Sequence, residues 1–231
     1  MSHKKRRLKH DRSTGSTLQR DENGIIFHSG WIGHCRHGSG TFHCERVMKG
    51  LVACEFSGIV RDAFRTQGHD FWSCDLLPCE GDNRFHIRRN VLEILRDGWD
   101  IMIAHPPCTY LAVSGARWFR DRKPEQQWAL GLVRRLLNAP IQKIALENPI
   151  SVISSQIRKP DQIIQPWQFG HGETKATCLW LKNLPKLVPT DIVDGRCPRV
   201  HHASPSPDRW KERSRTIPGI ALAMAEQWGK Q

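Results

Sequence analysis

The sequence predicts an α/β domain built on a mostly parallel sheet with helices on both faces. Three observations point there. Short apolar runs suited to buried strands recur at residues 48–54, 70–74, 100–104, 143–146 and 177–181. Helical patterns separate most of them over short connections. The chemically unusual residues fall directly behind these runs, where open α/β sheets bind their ligands.

The elements follow in order. Residues 1–46 are dominated by Gly, Ser, His and charge, show no sustained helix or strand period, and are expected to form a basic, poorly ordered extension. The texture changes at Met48, and a chain starting there would look complete. The first run, Met48-Lys49-Gly50-Leu51-Val52-Ala53-Cys54, leads into the turn Glu55-Phe56-Ser57-Gly58 and a helix over 59–67 that Gly68 stops. The second run ends at Asp75, and a short helix is expected over 91–96. The third run enters His105-Pro106-Pro107-Cys108. A helix over 124–138 starts with Pro124 in its first turn. The fourth run ends at Glu147-Asn148-Pro149, the fifth begins at Thr177, and a last helix runs from near Pro218 to Trp228. Residues 47–231 thus read as one domain.

Composition limits what this domain does. A chain of 231 residues allows one α/β domain with a substantial core. No apolar run approaches the roughly 20 residues of a membrane helix, and residues 1–20 lack the apolar segment of a secretory signal. The expectation is a cytoplasmic protein without a membrane partner. Its eight cysteines then read as thiols, not a disulfide frame. The net charge of +12, with basic clusters at 4–9, 84–89, 117–123 and 209–215, favours a polyanion such as nucleic acid.

Three motifs carry chemistry. In Ala104-His105-Pro106-Pro107-Cys108, two prolines end the strand ladder and present the thiol at the strand's end. A thiolate suits attack on C6 of a pyrimidine, after which C5 becomes an enamine-like carbon that accepts a methyl group. The carboxylate of Glu147 suits the N3–N4 edge of cytosine, where protonation draws electrons from C6. The small-residue turn Glu55-Phe56-Ser57-Gly58 allows a cofactor close to the backbone, and Asp75 suits ribose hydroxyls. No G-x-G-x-x-G fingerprint follows the first strand, which argues against a dinucleotide. Read singly, each motif is more often an ordinary structural turn; their joint order favours the chemistry.

That order resembles the DNA cytosine-5 methyltransferase family. Pro107-Cys108-Thr109-Tyr110-Leu111-Ala112-Val113-Ser114-Gly115 is similar to the family's Pro-Cys-Gln segment with its following Ser-Gly, and Glu147-Asn148-Pro149 to its Glu-Asn-Val turn. The resemblance spans residues 51–228 and is closest to the compact version encoded by bacteriophages and prophages. It implies a Rossmann-like S-adenosylmethionine-dependent methyltransferase fold. It makes Cys108 the nucleophile and Glu147 the acid on the cytosine edge. Lys175, in Thr174-Lys175-Ala176-Thr177, stands where the family has Gln-Arg-x-Arg and would approach cytosine O2 or a phosphate. Glu55, Phe56, Ser57, Gly58, Asp75, Asn90, Pro106 and Pro218 would surround S-adenosylmethionine, with residues 210–231 forming the closing helix. Ser114, Arg117, Lys175, Arg209, Arg213 and Arg215 would contact double-stranded DNA in the cytoplasm of a bacterium or phage-infected host. Protection of phage DNA, as in restriction–modification, is the role this suggests.

One departure stands out. Only residues 182–209 occupy the place of the family's target-recognition region, so recognition is expected to be short, loose or supplied by a protein partner. Trp167, Phe169 and Trp210 are candidates to fill the gap left by a flipped base, although core packing is the commoner fate of an aromatic. Two His/Cys sets, at His34, Cys35, His37, His43 and Cys44 and at His171, Cys178, Cys197 and His201, lack the paired spacing of a zinc ribbon. The expectation is no metal. The alternatives are the same chemistry on RNA, another C5 modification, or a catalytically silent DNA-binding relative.

Overall fold

The computed structural model describes residues 17–20, 26–29, 46–199 and 206–230. The chain divides into two compact units, Met1–Cys44 and Glu45–Gln231. In the first, β1 (Thr17–Arg20) and β2 (Ile26–Ser29) pair antiparallel, so this stretch holds strands where the sequence showed no strand period. The rest of the expected disordered extension, with the first His/Cys set, lies outside the described residues, as does His201.

The second unit holds a seven-stranded sheet. Its strands are β3 (Lys49–Ala53), β4 (Asp70–Asp75), β5 (His86–Arg88), β6 (Ile101–Ala104), β7 (Lys143–Pro149), β8 (Gln162–Ile164) and β9 (Thr177–Lys182), in the order β5-β4-β3-β6-β7-β9-β8. The pairs β5–β4, β4–β3, β3–β6 and β6–β7 are parallel, whereas β9 runs antiparallel to both neighbours. The first five strands thus have the doubly wound order, with its switch point between β3 and β6. The sheet is Rossmann-like and mostly parallel.

Alternation along fully apolar strands builds two cores. Leu51, Ala53, Met102, Ala104, Ile144 and Leu146 face the helix α2 (Lys123–Leu137), which buries Ala129, Leu130, Val133 and Leu136 against them. On the other face, Val52, Ile101, Ile103 and Ala145 meet α1 (Ile59–Thr66) and the last helix. Two short helices, α3 (Ile153–Gln156) and α4 (Arg209–Ser214), precede that last helix, α5 (Pro218–Trp228). Helices therefore cover both faces. Among the described residues, no helix is long and apolar enough to cross a membrane.

Three details differ from the sequence reading. The edge strands β5 and β8 have three residues each, too few to show a period. The helix expected over 91–96 contracts to a single 3-10 turn, Val91–Glu93; Ile94 and Leu95 are buried in the turn that follows. The fifth run, β9, enters the sheet reversed.

Gly219 lets α5 dock. Its position leaves no room for a side chain, because a Cβ would sit 1.9 Å from the Phe169 carbonyl oxygen. Its amide also donates to His171 Nε2 at 3.1 Å. Gly219→Ala is expected to lower unfolding free energy in urea by about 1–3 kcal/mol, the usual cost of overpacking, despite alanine's better helix propensity of about 1 kcal/mol. An unchanged midpoint would show that α5 is not held at this contact.

Candidate active site

Strands β6 and β7 run in register as far as Ala104 and Leu146. Beyond them β6 has no ladder to continue, because Pro106 and Pro107 carry no N–H. The His105 amide still reaches the Ala53 carbonyl at 2.8 Å. Side chains then take over the join to β7. His105 Nδ1 lies 3.0 Å from Glu147 Oε2, and Asn148 Nδ2 donates to the Pro106 carbonyl at 2.9 Å. Past the prolines, the Leu111 and Ala112 amides both donate to the Cys108 carbonyl at 2.9 Å, closing a tight turn. Ala112 forms an antiparallel bridge with Ser151. Cys108 is thus half-buried in a turn tied on both sides to the segment behind β7.

Cys108 and Glu147 lie close enough for the charge of one to act on the other. Burial pushes the Cys108 thiol up from its ordinary value and the Glu147 charge pushes it further, while Lys175 and Arg213 pull it down. Burial also opposes ionisation of Glu147, whose side chain is 15% exposed. The hydrogen bond and charge of His105, with the charge of Lys175, outweigh burial and hold Glu147 below the usual carboxylate range. Lys175 arrives because β9 is reversed: the residues before its start lie at the carboxyl ends of the parallel strands. Its ammonium donates to the Arg215 carbonyl at 3.2 Å.

Beside this pair, at the switch point, a small open crevice is lined by residues 54–57, His105, Ser214 and Thr216. Cys54 leaves β3 with φ of 60°, a left-handed conformation unusual outside glycine, and turns the chain sharply. Its buried thiol is pushed up to about 12. Gly58, at φ 76°, completes the turn, and the Arg61 guanidinium occupies the space a Cβ would need. Glu55 is buried and caps α1, accepting from the Val60 amide at 2.7 Å and the Arg61 amide at 3.4 Å. Burial raises its carboxyl. Phe56 packs against Trp210 of α4, ring centroids 5.9 Å apart. At the end of β4, Asp75 is half-buried, accepts from the Leu77 amide at 2.9 Å, and is raised by burial.

The remaining expected residues are placed as follows. Phe56, Ser57 and Glu55 line the crevice, and Pro106 lies in the Cys108 turn. Asn90 is exposed and caps the 3-10 turn through the Leu92 amide. Pro218 opens α5. Ser114 and Arg117 are exposed in the 3-10 turn Val113–Trp118 behind Cys108. Arg213 acts on Cys108, Arg209 begins α4, and Arg215 is bound through two nitrogens to Glu80 at 2.8 and 2.9 Å. Phe169 is core, Trp167 is covered by Arg196 at 4.0 Å, and Trp210 is half-exposed. Among the described residues, no group of three His, Cys, Asp or Glu side chains is placed to share a metal ion.

Two residues escaped the sequence reading. His105 stood in the motif without a role, although a histidine beside a strand-end carboxylate is a pairing signal. Arg61 is fully buried, bonding Asp62, Ser73 Oγ at 3.0 Å and Cys79 Sγ at 3.3 Å, and so fixes the loop behind β4. Nothing in an amphipathic helix marks such an arginine as internal.

No protein-family model and no curated protein matches the chain. Among solved structures it is similar to the S. pombe Dnmt2 methyltransferase, at 13% identity and a TM-score of 0.41, over 67% of this chain and 54% of that one. It is also similar to a Spodoptera frugiperda DNMT2 mutant, at 15% identity and a TM-score of 0.38, over 65% and 54%. The chain matches about half the length of each.

The charges around Cys108 make a prediction of sign. Glu147→Gln removes the negative charge that raises the thiol, so iodoacetamide should label Cys108 about threefold faster or more near pH 8, read on the Cys108 peptide by mass spectrometry. Lys175→Met should slow it. The opposite order would show that these side chains do not act on the sulfur.

Proposed function

We propose that the chain is an S-adenosylmethionine-dependent methyltransferase that modifies C5 of cytosine in double-stranded DNA. The observation that carries this reading is that the turn bearing Cys108 is tied to the end of β7, where Glu147 stands, beside the switch-point crevice. A soft nucleophile and a carboxylate so placed suit opposite edges of one pyrimidine. Cys108 forms the bond to C6 as it loses its thiol proton, and Glu147, ionised at rest, holds the N3–N4 edge and passes that proton to N3. Lys175, acting on both, suits the O2 that gains negative charge during attack.

The crevice fits a methyl donor of this kind. Its floor is the turn behind β3, Asp75 lies near enough to act on Cys54 of its lining, and one buried ring nitrogen, His105 Nε2, has no protein partner. Glu55, Phe56, Ser57, Gly58 and Asp75 would hold S-adenosylmethionine, which supplies an electrophilic methyl group when bound. Asn90, which caps its own 3-10 turn, and Pro218, which opens α5, would complete that site. The chain's own task is to orient cytosine C5 and keep water away from it.

The case for DNA is the charge and the surface behind Cys108. Trp118 is half-exposed there and flanked by Arg117 at 5.1 Å and Arg122 at 5.9 Å. Arginines clasping an exposed aromatic suit phosphates beside a base that the ring can stack on. With Ser114, Arg209 and Arg213 this forms the proposed DNA surface. Arg215, held by Glu80, serves to fix the α4–α5 junction. Residues 182–209 would be the short recognition segment, and a protein partner would add sequence discrimination. A cytoplasmic setting in a bacterium or a phage-infected cell belongs to the same proposal.

Nucleosides from DNA and RNA of cells expressing the wild type or Cys108→Ser test the function. The expected result is 5-methylcytosine in DNA, dependent on Cys108. The modified base in RNA alone would move the substrate to RNA. No modified base, with salt-sensitive DNA binding retained, would make the chain a binding module. Trp118→Ala should weaken duplex binding by about tenfold, the scale of one lost stacking contact of 1–3 kcal/mol; unchanged affinity would remove this surface from the interface.

A further inference from the structure

We propose that His105 is a positioning residue that couples occupancy of the methyl-donor crevice to the orientation of Glu147. The inference rests on the reading above and assigns it a residue the motifs left without a role.

The geometry is that of a ring held between two sites. The His105 side chain is 8% exposed. Its Nδ1 lies 3.0 Å from Glu147 Oε2, and Glu147 is held in its ionised form, so Nδ1 carries the hydrogen and donates. That bond engages one ring nitrogen and leaves Nε2 as the ring's second hydrogen-bonding atom. Nε2 is buried without a hydrogen-bond partner, an unfavourable state for a polar atom unless something else completes it. The ring lines the crevice with residues 54–57, Ser214 and Thr216. A hydrogen-bonding group on a ligand bound in the crevice is the partner that Nε2 lacks.

The ring has little freedom to evade this role. The His105 amide is fixed to Ala53 at 2.8 Å, and Pro106 behind it is fixed by Asn148 at 2.9 Å. The groups that act on the pair are Glu55 behind β3, Glu147 on β7 and Lys175 before β9. A ligand that engages Nε2 therefore locks the ring, and the locked ring holds Oε2 of Glu147. The other carboxylate oxygen is then presented to the base. Glu147 does not itself line the crevice, so any effect of Glu147 on ligand binding must pass through a neighbour.

Calorimetric titration of S-adenosylhomocysteine into the full chain tests the coupling. Wild type, Glu147→Gln, His105→Asn, His105→Ala and the His105→Ala/Glu147→Gln double variant are compared, with circular dichroism as the check on folding. His105→Asn keeps a donor toward Glu147 and removes Nε2. Both His105 variants should bind more weakly than wild type. Glu147→Gln should weaken binding by about fivefold, the lower end of ordinary coupling between sites, and should have no further effect in the His105→Ala background. If Glu147→Gln leaves affinity unchanged, or costs the same in both backgrounds, the coupling is absent and only this inference falls. If the folded wild type does not bind S-adenosylhomocysteine, the proposed function falls and the inference with it.

Discussion

The structure depends on how β6 is joined to β7 once prolines have ended the ladder. A strand that stops hydrogen-bonding would normally let its following loop wander, yet a nucleophile must be held to a fraction of an ångström. Here two consecutive side chains of β7 replace the missing amides. Glu147 takes the His105 ring, and Asn148 takes the Pro106 carbonyl. The join is buried, so each bond is stronger than it would be in water and costly to leave unmade. It also brings the segments that carry the acid and the thiol together at the carboxyl end of the sheet.

This arrangement sets opposing electrostatic demands. Burial disfavours both the Cys108 thiolate and the Glu147 carboxylate, and the Glu147 charge further disfavours the thiolate. The His105 hydrogen bond and the Lys175 charge settle the matter for Glu147, while Cys108 stays above its ordinary value and protonated in the ground state. A thiol that ionises only when a substrate arrives is protected from adventitious oxidation and alkylation. Lys175 and Arg213 are the groups that favour its ionisation, and both come from elements beyond the parallel strands. The reversed β9 and the α4–α5 segment therefore do more than close the sheet; they bring positive charge to the sulfur.

Much of this was legible in the residues. Apolar runs such as Leu51-Val52-Ala53 and Ile101-Met102-Ile103 announced buried parallel strands, because both faces of each are covered. The prolines before Cys108 announced a strand end. What stayed hidden was long-range. The direction of β9 is decided by the path of the chain before it, not by its own residues. The three-residue strands β5 and β8 exist because a neighbouring edge is available, not because of any period. The sequence placed Glu55 at the cofactor but did not show that it also caps α1, where a buried carboxylate next to unpaired amides is captured by them. Nor did it show that Arg215 grips Glu80, 135 residues away.

The central claim is that the sulfur of Cys108 and the carboxylate of Glu147 act on one pyrimidine ring. Duplex DNA containing 5-fluorocytosine tests it directly, because methyl transfer then leaves no C5 proton to remove and the enzyme stays bound through sulfur. With S-adenosylmethionine present, peptide mapping should find the adduct on Cys108, forming at least about a hundredfold more slowly in Glu147→Gln, the low end of general acid–base contributions. An adduct on another cysteine, or one on Cys108 that forms at an undiminished rate without Glu147, would contradict the account.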